Sequence, residues 1–110
     1  MNEKKFVAEY TQEAIDQLFS LSVESQDKIF AAVRAFEYLG TDYKNINKLD
    51  YDLYEIKPKG VRAYFRYHGQ KIIIIGFVVL KKTQKAPKRY MKQAVRNIEN
   101  YIRNEQNDNK

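Results

Sequence analysis

Apolar residues change their spacing twice along this 110-residue chain. In residues 4–10, Phe6 and Ala8 alternate with their neighbours, as in a short strand. From Thr11 the spacing becomes helical. Ala14, Ile15, Leu18 and Phe19 share one face of a short helix that the Thr11 hydroxyl can cap. Ser22 offers a second cap hydroxyl, and Ile29, Val33 and Phe36, with Ala32 and Leu39 beside them, recur on one stripe of a longer helix. Gly40 stands where a glycine suits the residue after a helix end. Two consecutive helices joined by so tight a corner form a helical hairpin.

After the polar linker 41-TDYKNINKLD-50 the pattern turns to alternation. Residues 52–57 predict a strand and 58-PKG-60 a turn. In residues 61–67, Val61, Ala63, Phe65 and Tyr67 point one way and Arg62, Tyr64 and Arg66 the other. His68 and Gly69 make a tight turn. The run 71-KIIIIGFVVL-80 predicts a buried central strand with Gly76 as a bulge or close-contact point. Three strands with short turns give an antiparallel meander. Pro87 suits the first position of a last helix over 87–103, with Met91, Ala94, Val95, Ile98 and Ile102 on one stripe. The polar residues 104–110 are expected to form a frayed, disordered tail. The pattern thus predicts an α+β fold in one domain, residues 1–103: an N-terminal strand and helical hairpin, then an antiparallel β-meander and a C-terminal helix. All helices are expected on one sheet face. The face bearing Arg62, Tyr64 and Arg66 is then left uncovered.

Composition adds bounds. The apolar fraction of 44% suits a globular chain. With no cysteine and one histidine, disulfides, thiolate sites and histidine-pair metal sites are out of reach, and no metal or cofactor is expected. The first residues, MNEKKFVAEY, lack the apolar core of a signal peptide, and the longest apolar run is too short to span a bilayer as a helix. A cytoplasmic protein without membrane association is the expectation.

Charge changes the picture more. Residues 1–56 hold six Lys or Arg against eleven Asp or Glu, whereas residues 57–96 hold twelve bases and no acid. Such segregation predicts a surface built for an anion, either nucleic acid or an acidic protein. Arg62 and Arg66 lie on one side of a strand, roughly 13 Å apart at strand rise. Tyr64 between them would offer a platform for a base to stack on. The second basic patch is 81-KKTQKAPKRY-90, with Lys81, Lys82, Lys85, Lys88 and Arg89. Cations at a helix N-terminus are unfavourable unless an anion binds there. These residue types suit RNA cleavage, in which a ribose 2′-hydroxyl attacks the adjacent phosphorus. The reaction needs a base, cations for the developing charge and an acid for the leaving oxygen. Tyr90 and the lysines of 81–85 are candidates for the proton transfers. His68, in a turn, is expected to be structural.

The segment 53-LYEIKPKGVRAYFRYHGQKIIIIGFVVLKKTQKAPKRYMKQA-94 resembles the RelE/HigB toxins, most closely their phage-derived HigB-like branch. The marks are LYEIKPKG followed by Arg62, a strand ending GFVVLKKTQK before a proline, and a basic helix. The resemblance implies a RelE-like fold and the toxin of a type II toxin–antitoxin pair. Such a toxin is a ribosome-dependent mRNA endoribonuclease needing no metal, and its antitoxin is a small helix-turn-helix protein. It implies that Arg62 stabilises the scissile phosphate, that Lys81, Lys82 and Lys85 line the same cleft, that Lys57 adds a basic position and that Tyr90 takes part in proton transfer. Glu55 stands where some relatives carry lysine, and Ala86 cannot cap the helix as their Ser or Thr does. Two other functions fit the same architecture: a ParE-like inhibitor of gyrase, and an RNA-binding module that does not cut.

Overall fold

The computed structural model describes residues 3–82 and 85–108. The first strand, β1, is Val7–Tyr10. The Thr11 hydroxyl accepts from Ala14 N at 3.1 Å and starts α1, Gln12–Phe19. Ser22 caps α2, Val23–Leu39, through Ser25 N at 3.1 Å. Gly40 ends α2 with φ at +60°, donating to the carbonyl of Phe36, and a Cβ there would press on Lys5. A short 3₁₀ turn over Gly40–Asp42 leads to β2, Ile46–Lys48, and β3, Tyr54–Ile56. Then come β4, Val61–His68, β5, Ile72–Leu80, and α3, Lys88–Asp108.

The strands form one sheet in the order β1-β5-β4-β3-β2, with β1 parallel to β5 and the other pairs antiparallel. The expected meander is present, lengthened by β2, which the polar linker had concealed. This strand has three residues on the sheet edge, paired to β3 from Ile46–Ile56 to Lys48–Tyr54, too short to show alternation. Pro87 lies one residue before α3, its carbonyl accepting from Tyr90 N and Met91 N at 3.0 and 3.2 Å. The helix continues five residues past its expected end. Extending an established helix adds a hydrogen bond per residue and needs no apolar face, so the polar residues 104–108 remain helical. The last two tail residues, and Thr83 and Gln84 of the KKTQK motif, lie outside the described residues. Among the described residues no helix is long and apolar enough to cross a membrane.

The expectation that all helices share one sheet face is wrong. Leu18 of α1 and Ile29, Val33 and Phe36 of α2 pack on Ile56, Val61, Ala63, Phe65, Ile73, Ile75 and Val78. On the opposite face α3 packs Met91, Ala94 and Ile98 on Leu53, Tyr64, Ile74 and Phe77. The cause lies in β5, which is apolar on both sides and needs cover on both. The first core is rich in aromatic contacts, with Phe36 centred 5.2 Å from Phe6 and 5.3 Å from Phe65.

Gly76 resets the alternation of β5. Tyr64 pairs with Phe77 but the next residue, Phe65, pairs with Ile75, so Gly76 is an extra residue in the ladder. Ile73, Ile75 and Val78 therefore face α1 and α2, while Ile74 and Phe77 face α3. Two side chains take up the backbone groups released here. Asn97 Nδ2 donates to Gly76 O at 2.9 Å, and Gln17 Oε1 accepts from Val78 N at 2.8 Å. A Cβ on Gly76 would lie 2.6 Å from Ile98 Cγ1 and 2.9 Å from Ala94 O, so glycine lets α3 sit directly on the strand. The sequence expectation of a bulge or close approach at Gly76 holds on both counts.

Candidate functional site

A cleft of about 280 Å³ opens where β3, β4, the end of β5 and the start of α3 meet. Arg62 and Glu55 line it from neighbouring strands, because the sheet places both on the α3 side. Arg62 Nη1 donates to the carbonyls of Pro58 and Val61 at 2.7 and 2.8 Å, and Nε lies 3.9 Å from Glu55 Oε2. The Arg62 and Glu55 side chains are only 13% and 10% exposed. Asn47 Nδ2 of β2 donates to Glu55 Oε1 at 3.1 Å, so a guanidinium and an amide hold the carboxylate from two sides.

One wall is a stack of rings. Tyr64 lies 5.7 Å from Phe77 and Phe77 lies 5.0 Å from Tyr90, both near-parallel. The Arg89 guanidinium sits 4.9 Å from the centre of the Tyr90 ring. The bulge at Gly76 makes this possible, since it turns Phe77 to the α3 side. Lys57, Lys81, Lys82 and Lys85 also line the cleft. Six cations thus line the cleft with Glu55 as the one acid among the described lining residues.

Of the residues expected from sequence, Lys57, Arg62, Tyr64, Lys81, Lys82, Lys85, Arg89 and Tyr90 border the cleft. Arg66 and Lys88 do not. Arg66 Nη2 donates instead to the carbonyl of Tyr51 in the β2–β3 loop, and Lys88 is exposed on the first turn of α3. Tyr64 corrects a second expectation. It is 2% exposed, beneath α3, and so is no open stacking platform. Burial, then the nearby Glu55 carboxylate, push its phenol up to about 12, with Arg62 opposing and Tyr90 adding. Its hydroxyl therefore keeps its proton and serves the cleft as a neutral hydrogen-bonding group, not as a phenolate base. Asn47 was not expected here at all. The alternation of 46-INK-48 was its one sequence signal, and β2 is too short to make it legible.

The family described as Phage derived protein Gp49-like (DUF891) matches residues 16–99, which include every cleft residue. Among solved structures, the chain is similar to one in the crystal structure of the toxin–antitoxin complex RelBE2 from Mycobacterium tuberculosis. The two are 18% identical, and the match covers 70% of this chain and 99% of that one with a TM-score of 0.51. At that identity the likeness is one of fold, and it agrees with the α+β architecture described above. No curated protein matches the sequence.

Proposed function

Because the chain belongs to the phage-derived Gp49-like family, a RelE/HigB-like toxin family, we propose that it is the toxin of a toxin–antitoxin pair and cuts mRNA on the ribosome. The observation that carries this reading is the convergence of six cations on one held carboxylate in a cleft open to solvent. A scissile phosphate would lie against Arg62, whose guanidinium the Pro58 and Val61 carbonyls orient in advance. Lys81, Lys82 and Lys85 border the same cleft and add charge stabilisation. Glu55 accepts the proton of the attacking 2′-hydroxyl, since an ionised carboxylate is acceptor-only and Tyr64 is held in its neutral form. Tyr90, over which Arg89 lies, donates to the leaving 5′-oxygen. Lys57 and Arg89 hold flanking phosphates. A partner antitoxin neutralises the toxin by covering or distorting this cleft, and its expected form is a small helix-turn-helix protein.

Purified protein mixed with ribosomes and mRNA should yield fragments with cyclic phosphate ends. Arg62→Ala and Glu55→Gln should each fold and lose about two to four orders of magnitude in cleavage rate. Intact mRNA with the wild-type chain would overturn the proposal. DNA damage in expressing cells alongside intact mRNA would favour gyrase inhibition instead.

A further inference from the structure

The cleft does not end at Lys85. Asn47, Glu55, Lys85 and Ala86 also border a second hollow of about 620 Å³, lined further by Lys48 at the end of β2, loop residues Leu49 and Asp50, and Met91 of α3. The next loop residue, Tyr51, forms a third hollow of about 310 Å³ with Lys92, Val95, Arg96 and Glu99 of α3. Loop and helix thus advance together, and the three hollows follow one another along α3.

Tyr51 is an unexpected residue for its place. Leu53 N donates to Asp50 O at 3.2 Å and closes a turn whose central residues, Tyr51 and Asp52, have φ of +62° and +59°. Those values belong to a type I′ turn, which favours Asn and Gly at both centres. A tyrosine there is strained, and its ring does nothing for either core: it is 40% exposed and belongs to neither buried cluster. The fold nonetheless holds the residue firmly, since Arg66 reaches across to bond its carbonyl. Beside the ring, Lys92 and Arg96 are exposed and lie one turn apart on α3, about 6 Å along the axis. Neither has an acidic partner within 4 Å among the described residues, although Glu99 borders the same hollow. An exposed aromatic ring on a rigid support, with two cations beside it, is the arrangement that holds a base by its face and its phosphate by charge. Strain kept at an exposed residue points to use rather than to packing.

We propose that Tyr51, Lys92 and Arg96 form a nucleotide-binding subsite outside the cleft, where a base of single-stranded RNA stacks on Tyr51 and its phosphate lies against the two cations. The subsite rests on the RNA reading above and adds to it the path of the strand. It also gives Arg66 a role: Arg66 holds the platform and does not itself touch the RNA.

Tyr51→Asn tests this directly, because it relieves the turn while removing the ring. Binding is measured by fluorescence anisotropy on the whole chain, with labelled single-stranded RNAs of about four and about twelve nucleotides. The variant should melt at a higher temperature than the wild type and bind the longer RNA about tenfold more weakly. Its affinity for the shorter RNA should be unchanged. Tyr51→Phe should bind both as the wild type does, and the double variant Lys92→Ala with Arg96→Ala should weaken only the longer RNA. Unchanged affinity of Tyr51→Asn for the longer RNA overturns the subsite. So does normal RNA binding combined with lost binding of the antitoxin, which would make Tyr51 a protein contact. Failure of the wild type to bind either RNA overturns it too, whereas the proposed function stands or falls on the ribosome assay.

Discussion

Arg62, Glu55 and Tyr64 show how the environment of each side chain assigns its chemistry. Two of the hydrogen bonds Arg62 makes go to backbone carbonyls of its own turn and strand, so the planar fork is oriented before any anion arrives. Lysine would keep the charge but not the fork, and Arg62→Lys should therefore recover little of the activity lost in Arg62→Ala. Tyr64 carries a consequence for pH. Its phenol is raised from 10.0 to about 12, so the folded state holds a proton that the unfolded chain releases sooner. The stabilisation is complete below pH 10 and is lost as pH rises through 12. A two-unit shift is worth about 3 kcal/mol at most. Urea melts at pH 9 and pH 11.5 should show Tyr64→Phe losing less stability over that window than the wild type. Equal losses would remove Tyr64 as a source of the slope, leaving Tyr10 and Tyr101, which burial raises to about 12 as well.

Among the elements, β5 with its bulge decides where the site can form. Without the extra residue at Gly76, Phe77 would face α1 and α2, and the Tyr64–Phe77–Tyr90 wall could not assemble. Gly76→Ala would force its Cβ against Ile98 and against the carbonyl of Ala94, which yields only if α3 moves. A loss of about 1–3 kcal/mol is expected in urea unfolding. Mobility at the start of α3 should also lower cleavage more than an equally destabilising change under α2, such as Val33→Ala. Asn97→Ala leaves the bulge carbonyl buried without a partner and should cost about 1–3 kcal/mol. If Gly76→Ala unfolds with wild-type stability, α3 does not rest on β5 as described.

The whole molecule is electrically divided. Most basic residues of 57–96 gather around the cleft and along α3, while the acids of the N-terminal half lie mostly on β1, α1 and α2. Binding of single-stranded RNA should therefore weaken steeply with salt, by about 0.7 in the logarithmic slope for each phosphate neutralised. The double variant Lys81→Ala with Lys82→Ala should lower that slope by roughly 1.4. Lys28→Ala, on the helical hairpin and paired with Glu24, should leave it unchanged. A slope indifferent to Lys81 and Lys82 would place the RNA elsewhere.

The order of elements apart from β2, the caps at Thr11 and Ser22, the stop at Gly40, the alternation of β4 and the special role of Gly76 were legible in the sequence. So was the concentration of cations near the cleft. These features follow from interactions within about one helical turn or one strand, and neighbouring residues specify them. Tertiary structure alone decided the layers. It set β1 parallel to β5 and put α3 on the second face, burying Tyr64 and turning Arg66 toward Tyr51. It also brought Asn47 and Glu55 to Arg62. The bonds that fix this arrangement span 29 residues from Ala8 to Glu37, 61 from Gln17 to Val78 and 92 from Glu9 to Tyr101. Local periodicity carries no information about such pairs. The need to cover an apolar strand on both sides, met only once the sheet has formed, selects them.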